Sequence, residues 1–180
     1  MQIIISPAKK MRTDTDSFIW KDLPVFLSRT EVIFTELKKL SYEELKALWK
    51  CNDKIAAQNV ERLQTLDLQT SLTPAVMAYE GIQYQYMAPG VFSQEELAYV
   101  QDHLRILSGF YGLLRPFDGV IPYRLEMQAK LSVDGFKDLY AYWATPWPAP
   151  FGPRAMWSST WPPRSTASAF PDTSPKENDS

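Results

Sequence analysis

Two lysines stand side by side just past a short apolar run. Ile3-Ile-Ile5 leads through Ser6, Pro7 and Ala8 to Lys9 and Lys10. Adjacent ammonium groups with a hydroxyl close by suit a phosphate, and ligands of open α/β sheets gather at the carboxyl ends of strands. A solvated loop is the plainer alternative. Two arginines, Arg115 and Arg124, lie in Tyr111-Gly-Leu-Leu-Arg-Pro-Phe-Asp-Gly-Val-Ile-Pro-Tyr-Arg-Leu-Glu126, a stretch too rich in Gly and Pro for one regular element. A guanidinium offers a planar fork to a phosphate or a carboxylate. Alternatively, Arg115 pairs with Asp118 and Arg124 with Glu126 as structural ion pairs. Glu126, if buried beside Arg124, is the one candidate general acid or base. Lys54 opens a helix begun by Asn52-Asp53 and faces either the same cleft or solvent. The turn Ser108-Gly-Phe-Tyr-Gly112 can offer backbone N–H groups to a phosphate.

Tyr79, Tyr84, Tyr86, Phe110 and Tyr111 can stack on bases, although aromatics at these spacings also build cores. Cys51 stands between Lys50 and Lys54 in sequence but has no second cysteine to resolve an oxidised thiol. It reads as inert. His103 is the one histidine, so it builds no histidine-rich metal site and reads as structural. No cofactor and no metal site is implied. The net charge of −2 advertises no nucleic-acid partner, so any phosphate site must arise from local clustering. No run approaches the ~20 apolar residues of a membrane helix, and the N-terminus lacks the pattern of a secretory signal. The expectation is a cytoplasmic protein.

These side chains need elements to hold them. Residues 2–6 read as a buried strand, central in a sheet. Residues 13–27 read as irregular, anchored by Phe18, Trp20, Leu23 and Phe26. Residues 30–40 place Ile33, Leu37 and Leu40 on one helical face. Ser41-Tyr-Glu-Glu44 and Ser93-Gln-Glu-Glu96 are capping boxes. The first starts a helix through Leu45, Leu48 and Trp49, the second a helix striped by Leu97, Val100 and Leu104. Asn52 caps a third helix, with Ile55, Ala56, Val60 and Leu63 inward. Thr73-Pro74 reads as a cap with proline at the first helical position, in a short helix ended by Gly81. Residues 82–87 alternate and read as a strand. Residues 104–110 either continue the helix of Leu97 and Val100 or form a second buried strand, and Gly109 and Gly112 around an aromatic pair favour a strand from about Arg105; residues 138–143 read as the start of a helix. Helix, strand and glycine turn in succession predict an α/β fold, a mixed sheet with surrounding short helices, rather than a bundle.

Composition breaks after Trp143. Residues 144–180 hold no Leu, Ile, Val or Tyr, and Pro, Ser and Thr fill 18 of the 37 positions. Such a segment buries too little apolar surface to offset its ordering entropy. The expected organisation is one domain over residues 1–143 and a disordered tail.

Several segments resemble a known family. Ile-Ile-Ser-Pro-Ala-Lys at 4–9, Asn-Asp-Lys at 52–54, Tyr-Glu-Gly-Ile-Gln-Tyr at 79–84, Leu-Arg-Ile-Leu-Ser-Gly-Phe-Tyr-Gly-Leu-Leu-Arg-Pro-Phe-Asp at 104–118, Pro-Tyr-Arg-Leu-Glu-Met at 122–127 and Lys-Asp-Leu-Tyr at 137–140 are similar, in order and spacing, to the YaaA family of bacterial peroxide-stress proteins. The resemblance implies a cytoplasmic protein that helps cells survive peroxide by limiting free intracellular iron. It also implies a mixed α/β body with a positively charged cleft, a helix-hairpin-helix-like element and a double-stranded DNA partner. Ser6, Lys9, Lys10, Lys54, Arg115 and Arg124 would line that cleft. An enzyme acting on a phosphate-bearing small molecule or nucleotide, with Glu126 as acid or base, is the alternative.

The resemblance stops at Trp143, where family members continue through a strand and an Asn-Leu-Ala-Ser-x-Glu-Tyr segment. The tail reads as a shifted frame. One base inserted into codons for residues 143–150 turns the same letters into Trp-Gly-Asp-Ala-Leu-Ala-Arg-Ala. Met156-Trp-Ser-Ser-Thr-Trp161 then conceals Val-Val-Val-Asn-Leu-Ala. A chain truncated in this way is expected to expose apolar surface and sheet edges and to aggregate, as a non-functional product.

Overall fold

The computed structural model describes residues 2–144. The tail read as out of frame therefore lies outside the described residues, apart from Ala144. In chain order the elements are β1 (Ile3–Ile5), β2 (Lys10–Met11), α1 (Leu27–Lys39), α2 (Tyr42–Trp49), α3 (Asp53–Thr65), β3 (Thr73–Pro74), α4 (Ala75–Ala78), β4 (Tyr79–Glu80), α5 (Ile82–Met87), α6 (Gln94–His103), β5 (Leu104–Ser108), β6 (Gly112–Leu114), β7 (Gly119–Val120) and α7 (Leu139–Trp143). This is the α/β fold the sequence predicts.

The main sheet has the order β1-β5-β6. β1 runs parallel to β5, with Ile3 opposite Leu104 and Ile5 opposite Ile106. β5 turns back antiparallel into β6. The predicted strand at 105–110 is thus present from Leu104 to Ser108, with alternate residues Leu104, Ile106 and Ser108 buried. β1 corrects the reading of a buried central strand. Among the described residues it has a neighbour on one side only, and Ile3 and Ile4 are 38% and 45% exposed. Two short antiparallel pairs, β2 with β4 and β3 with β7, tie the connecting segments together.

Helices α1, α2 and α3 pack as a layer. α1 buries Thr30, Ile33 and Leu37, α2 buries Leu45 and Trp49, and α3 buries Ala56, Asn59 and Leu63. Both capping boxes form as predicted: Ser41 and Glu44 close on each other at α2, as do Ser93 and Glu96 at α6. Asn52 accepts the Ile55 N–H at 3.0 Å and caps α3. α6 buries no residue fully among those described, and its Leu97 and Val100 stripe is half-covered.

Residues 82–87 correct a second expectation. Their alternation predicts a strand, yet they form α5, whose inward residue is Tyr84. Six residues are too few for the pattern to separate the two periods. Thr73-Pro74 likewise pairs with β7 as strand β3, because Thr73 and Pro74 are fully drawn into the core opposite Val120 and Gly119. Helix α4 begins only at Ala75 and ends at Ala78, and Gly81 caps the next helix rather than ending this one.

The core centres on the β5–β6 turn. Phe110, Tyr111, Ile106, Leu114, Ile121 and Trp143 are all buried there. Gly112 has φ +72, and a Cβ on it would sit 2.7 Å from Trp143 Cζ3. Only glycine meets both demands. Trp143 Nε1 donates to the Gly109 carbonyl at 2.9 Å, which seats α7 on the turn.

Candidate functional site

Beyond β1 the chain is clamped by α5: the Ser6 carbonyl accepts from the Tyr84 hydroxyl at 2.9 Å and also from Gln83 Nε2. Gly81 lets the loop come close, since a Cβ there would stand 2.9 Å from Ala8 Cβ. The two lysines that follow are well exposed, with side chains 67% and 79% accessible. Each is held by a carboxylate. Lys9 Nζ lies 3.0 Å from Glu126 Oε1. Lys10 Nζ lies 3.0 Å from Glu80 Oε2 across the β2–β4 pair. Glu126 also accepts from Gln128 through its second oxygen. Glu126 thus pairs with Lys9, 117 positions away, and not with its near neighbour Arg124.

Behind this loop runs a chain of hydroxyls. Tyr79 and Tyr123 lie 2.7 Å apart through their hydroxyls, and Tyr123 lies 2.7 Å from Ser108 Oγ. Ser108 Oγ accepts the backbone N–H groups of Phe110 and Tyr111 at 3.1 and 2.9 Å. With its lone pairs so used, Ser108 donates its proton to Tyr123, and Tyr123 shares a second hydrogen bond with the Tyr79 hydroxyl. Burial raises the Tyr79 phenol well above its ordinary value and pushes Tyr123 up to about 12, where the Ser108 and Tyr79 hydrogen bonds act in the opposite sense. Both are therefore neutral at ordinary pH.

The same geometry corrects the reading of residues 108–112 as a phosphate-binding turn. The turn is buried, and its Phe110 and Tyr111 N–H groups are taken by Ser108. Tyr79, Tyr84, Phe110 and Tyr111 are core residues, and of the five aromatics considered for base stacking only Tyr86 is exposed.

Arg115 is bound on two sides. Its backbone N–H and Nε donate to the two oxygens of Asp118 at 2.9 and 3.1 Å, and its terminal nitrogen lies 3.3 Å from Asp22. Asp118 is fully buried. Desolvation raises its carboxyl to about 6, against the opposing pull of Arg115. Arg115 therefore holds a buried carboxylate in place. Lys54 is exposed on the first turn of α3, on a different element from the lysine loop. Cys51 is a half-exposed free thiol between α2 and α3. His103 ends α6 with its ring 4.3 Å from that of Tyr99. Among the described residues no three His, Cys, Asp or Glu side chains gather closely enough to hold a metal.

Arg124 turns away from the lysines and lines a cavity among α1, α2 and α3. The cavity is small, about 20 Å³, and partly open to solvent; Phe34, Trp49, Arg62, Phe110, Tyr123 and Arg124 line it with their neighbours. Two buried donors at this cavity, Trp49 Nε1 and Arg124 Nε, have no hydrogen-bond partner. Sequence reasoning took Trp49 as an apolar anchor of α2 and missed it as a donor. The tryptophan's N–H was the available signal, but only the fold brings it to an arginine 75 positions away.

The six cationic and hydroxyl positions thus do not converge on one surface. Ser6, Lys9 and Lys10 share a loop, Glu126 joins them, and Arg115, Arg124 and Lys54 lie in separate surroundings. No helix among the described residues is long and apolar enough to cross a membrane.

A family profile described as Peroxide stress protein YaaA matches residues 1–150. The chain is 62% identical over 143 residues to a UPF0246 protein of Pediococcus pentosaceus, covering 79% of this chain and 57% of that protein. It is 59% identical over 143 residues to a UPF0246 protein of Agathobacter rectalis, with the same coverage. Against a UPF0246 protein of Limosilactobacillus reuteri the identity is 57% over 144 residues, 79% of this chain and 58% of that one. The chain spans a little under three fifths of the length of these relatives. With its sheet, its capped helices and its lysine loop all inside the matched residues, the chain belongs to the YaaA family of peroxide stress proteins.

Proposed function

We propose that this protein serves the peroxide-stress response in the cytoplasm by binding double-stranded DNA, and that its link to limiting free intracellular iron runs through that binding. The observation that supports the reading is the pair of exposed ammonium groups of Lys9 and Lys10 at the carboxyl end of β1. Each is restrained by a partly exposed carboxylate, and exposed ion pairs of this kind contribute only about 0–1 kcal/mol. A DNA phosphate can therefore displace Glu126 and Glu80 at small cost. Lys54 adds a further exposed cation. The enzyme alternative draws no support from Glu126, which holds Lys9 and Gln128 and is not among the residues lining the cavity.

The test is the salt dependence of duplex DNA binding by the full chain, read by fluorescence anisotropy. Each phosphate neutralised contributes about 0.9 to the slope of log affinity against log salt. The K9Q/K10Q double variant is expected to lower that slope by about 2. A parent slope near zero, or a slope the double variant leaves unchanged, would overturn the reading.

A further inference from the structure

We propose that the open edge of β1, with the exposed isoleucines on its two faces, is the docking surface for the part of the chain that the relatives carry outside the match, received there as an added strand. The proposal is independent of the DNA reading, since it uses neither lysine of the loop that follows. It begins from a strand with too little around it. Among the described residues β1 ends the order β1-β5-β6, and no backbone hydrogen bond outside the sheet ladder involves Ile3, Ile4 or Ile5. An edge strand presents a row of unpaired N–H and C=O groups, and folded proteins blunt such edges with charges, proline or a bulge. Ile3-Ile-Ile5 carries no charge and no proline, and its register with β5 is unbroken. The faces are open as well. Ile3 and Ile4 point to opposite sides of the sheet, and both are exposed. Strands in parallel pairing are ordinarily covered on both faces.

The length of the relatives names the occupant. A little over two fifths of each of the three lies outside the match, while β1 and the rest of its sheet lie inside it. α7 stands close at hand, since Trp143 Nε1 donates to the Gly109 carbonyl, one residue past β5. Neighbouring strands sit ~4.8 Å apart, so the lane beyond β1 is about 10 Å from β5. A chain continuing from α7 reaches that lane within about eight residues at ~3.3 Å each. Main-chain hydrogen bonds would hold the added strand, as in other cases of strand addition to a sheet edge. Apolar side chains on its two faces would lie beside Ile3 and Ile4. A second copy fits less well. A ladder of Ile3–Ile5 against itself is short and buries far less than the ~1,200 Å² of a stable interface.

The probe is the stretch of the Pediococcus pentosaceus relative that lies outside the match, co-expressed with the full chain and purified through a tag on the full chain. Amide hydrogen exchange at Ile3–Ile5 is then followed by mass spectrometry. In the co-purified complex these amides are expected to exchange about tenfold or more slowly than in the full chain alone. The whole relative is expected to protect its aligned strand to the same extent. I4K places a charge on the open edge, the device by which natural edges refuse a partner, and is expected to weaken capture about tenfold or more. If I4K does not fold, the exchange comparison on the parent chain decides. Failure of the fragment to co-purify, exchange at Ile3–Ile5 that the fragment leaves unchanged, or an aligned strand in the whole relative that exchanges as fast as β1 would overturn the proposal. So would slow exchange in the full chain alone that strengthens with protein concentration, because a second copy would then be the occupant.

Discussion

Asp118 sits at zero exposure with both oxygens occupied by Arg115. Burial favours its neutral form and lifts its carboxyl from 3.8 to about 6. Between those values the folded chain holds a proton that the unfolded chain has released. Asp118 therefore contributes stability that is full below about pH 4 and is lost as pH rises to about 6. At ~1.36 kcal/mol per pH unit that is about 3 kcal/mol. Carbon NMR of the Asp118 carboxyl is expected to show a midpoint near pH 6 and, in R115Q, a higher one, because the guanidinium favours the charged form. A midpoint in the ordinary range near 4 would refute this. At this scale the sequence was partly legible. Arg115 and Asp118 stand three residues apart in a tight turn, so their pairing was one of two readings the spacing allowed. Arg124 and Glu126 lie in an irregular segment, where no period says which way a side chain points. One turned to the helices, the other to Lys9.

The elements were most legible where their ends carry their own chemistry. The serine and glutamate of each capping box satisfy each other's backbone N–H groups, at Ser41 with Glu44 and at Ser93 with Glu96. That chemistry is local and survives any tertiary context. S41A and S93A are each expected to cost about 1 kcal/mol, read as a lowered urea midpoint at constant slope. A midpoint unchanged in both would mean that the boxes do not hold in solution. Elements set by distant partners were less legible. Thr73-Pro74 carries a helix-start signal, but pairing with Val120 and Gly119 overrides it. Residues 82–87 alternate like a strand, yet the demand for Gln83 and Tyr84 at the Ser6 carbonyl is met by a helix. The triple isoleucine reads as buried on both faces, while its place at the end of the strand order leaves Ile3 and Ile4 open.

For the whole molecule, α7 acts as a latch. Trp143 reaches back to Gly109, its ring lies against Gly112, and Phe26 meets it edge-on at 6.1 Å. The Tyr142 hydroxyl donates to the Arg29 carbonyl at 2.9 Å, 113 positions away. W143F keeps a ring in place but strips the Gly109 carbonyl of its donor. It is expected to lower stability by about 1–3 kcal/mol, whereas W143A should cost about 3–5 kcal/mol. Thermal melts followed by circular dichroism check the order, and equal melting temperatures for parent and W143F would remove the latch.

The parallel pairing of β1 with β5 has a consequence in time. Ile3 meets Leu104 and Ile5 meets Ile106, so β1 has no partner until about a hundred further residues have been made. At a synthesis rate of about 5–20 residues per second, Ile3-Ile-Ile5 waits roughly 5–20 s as a bare apolar strand. During that interval it is a target for a chaperone that holds nascent chains, or for a second chain. Of the described strands, β1 therefore waits through the longest stretch of synthesis for its partner.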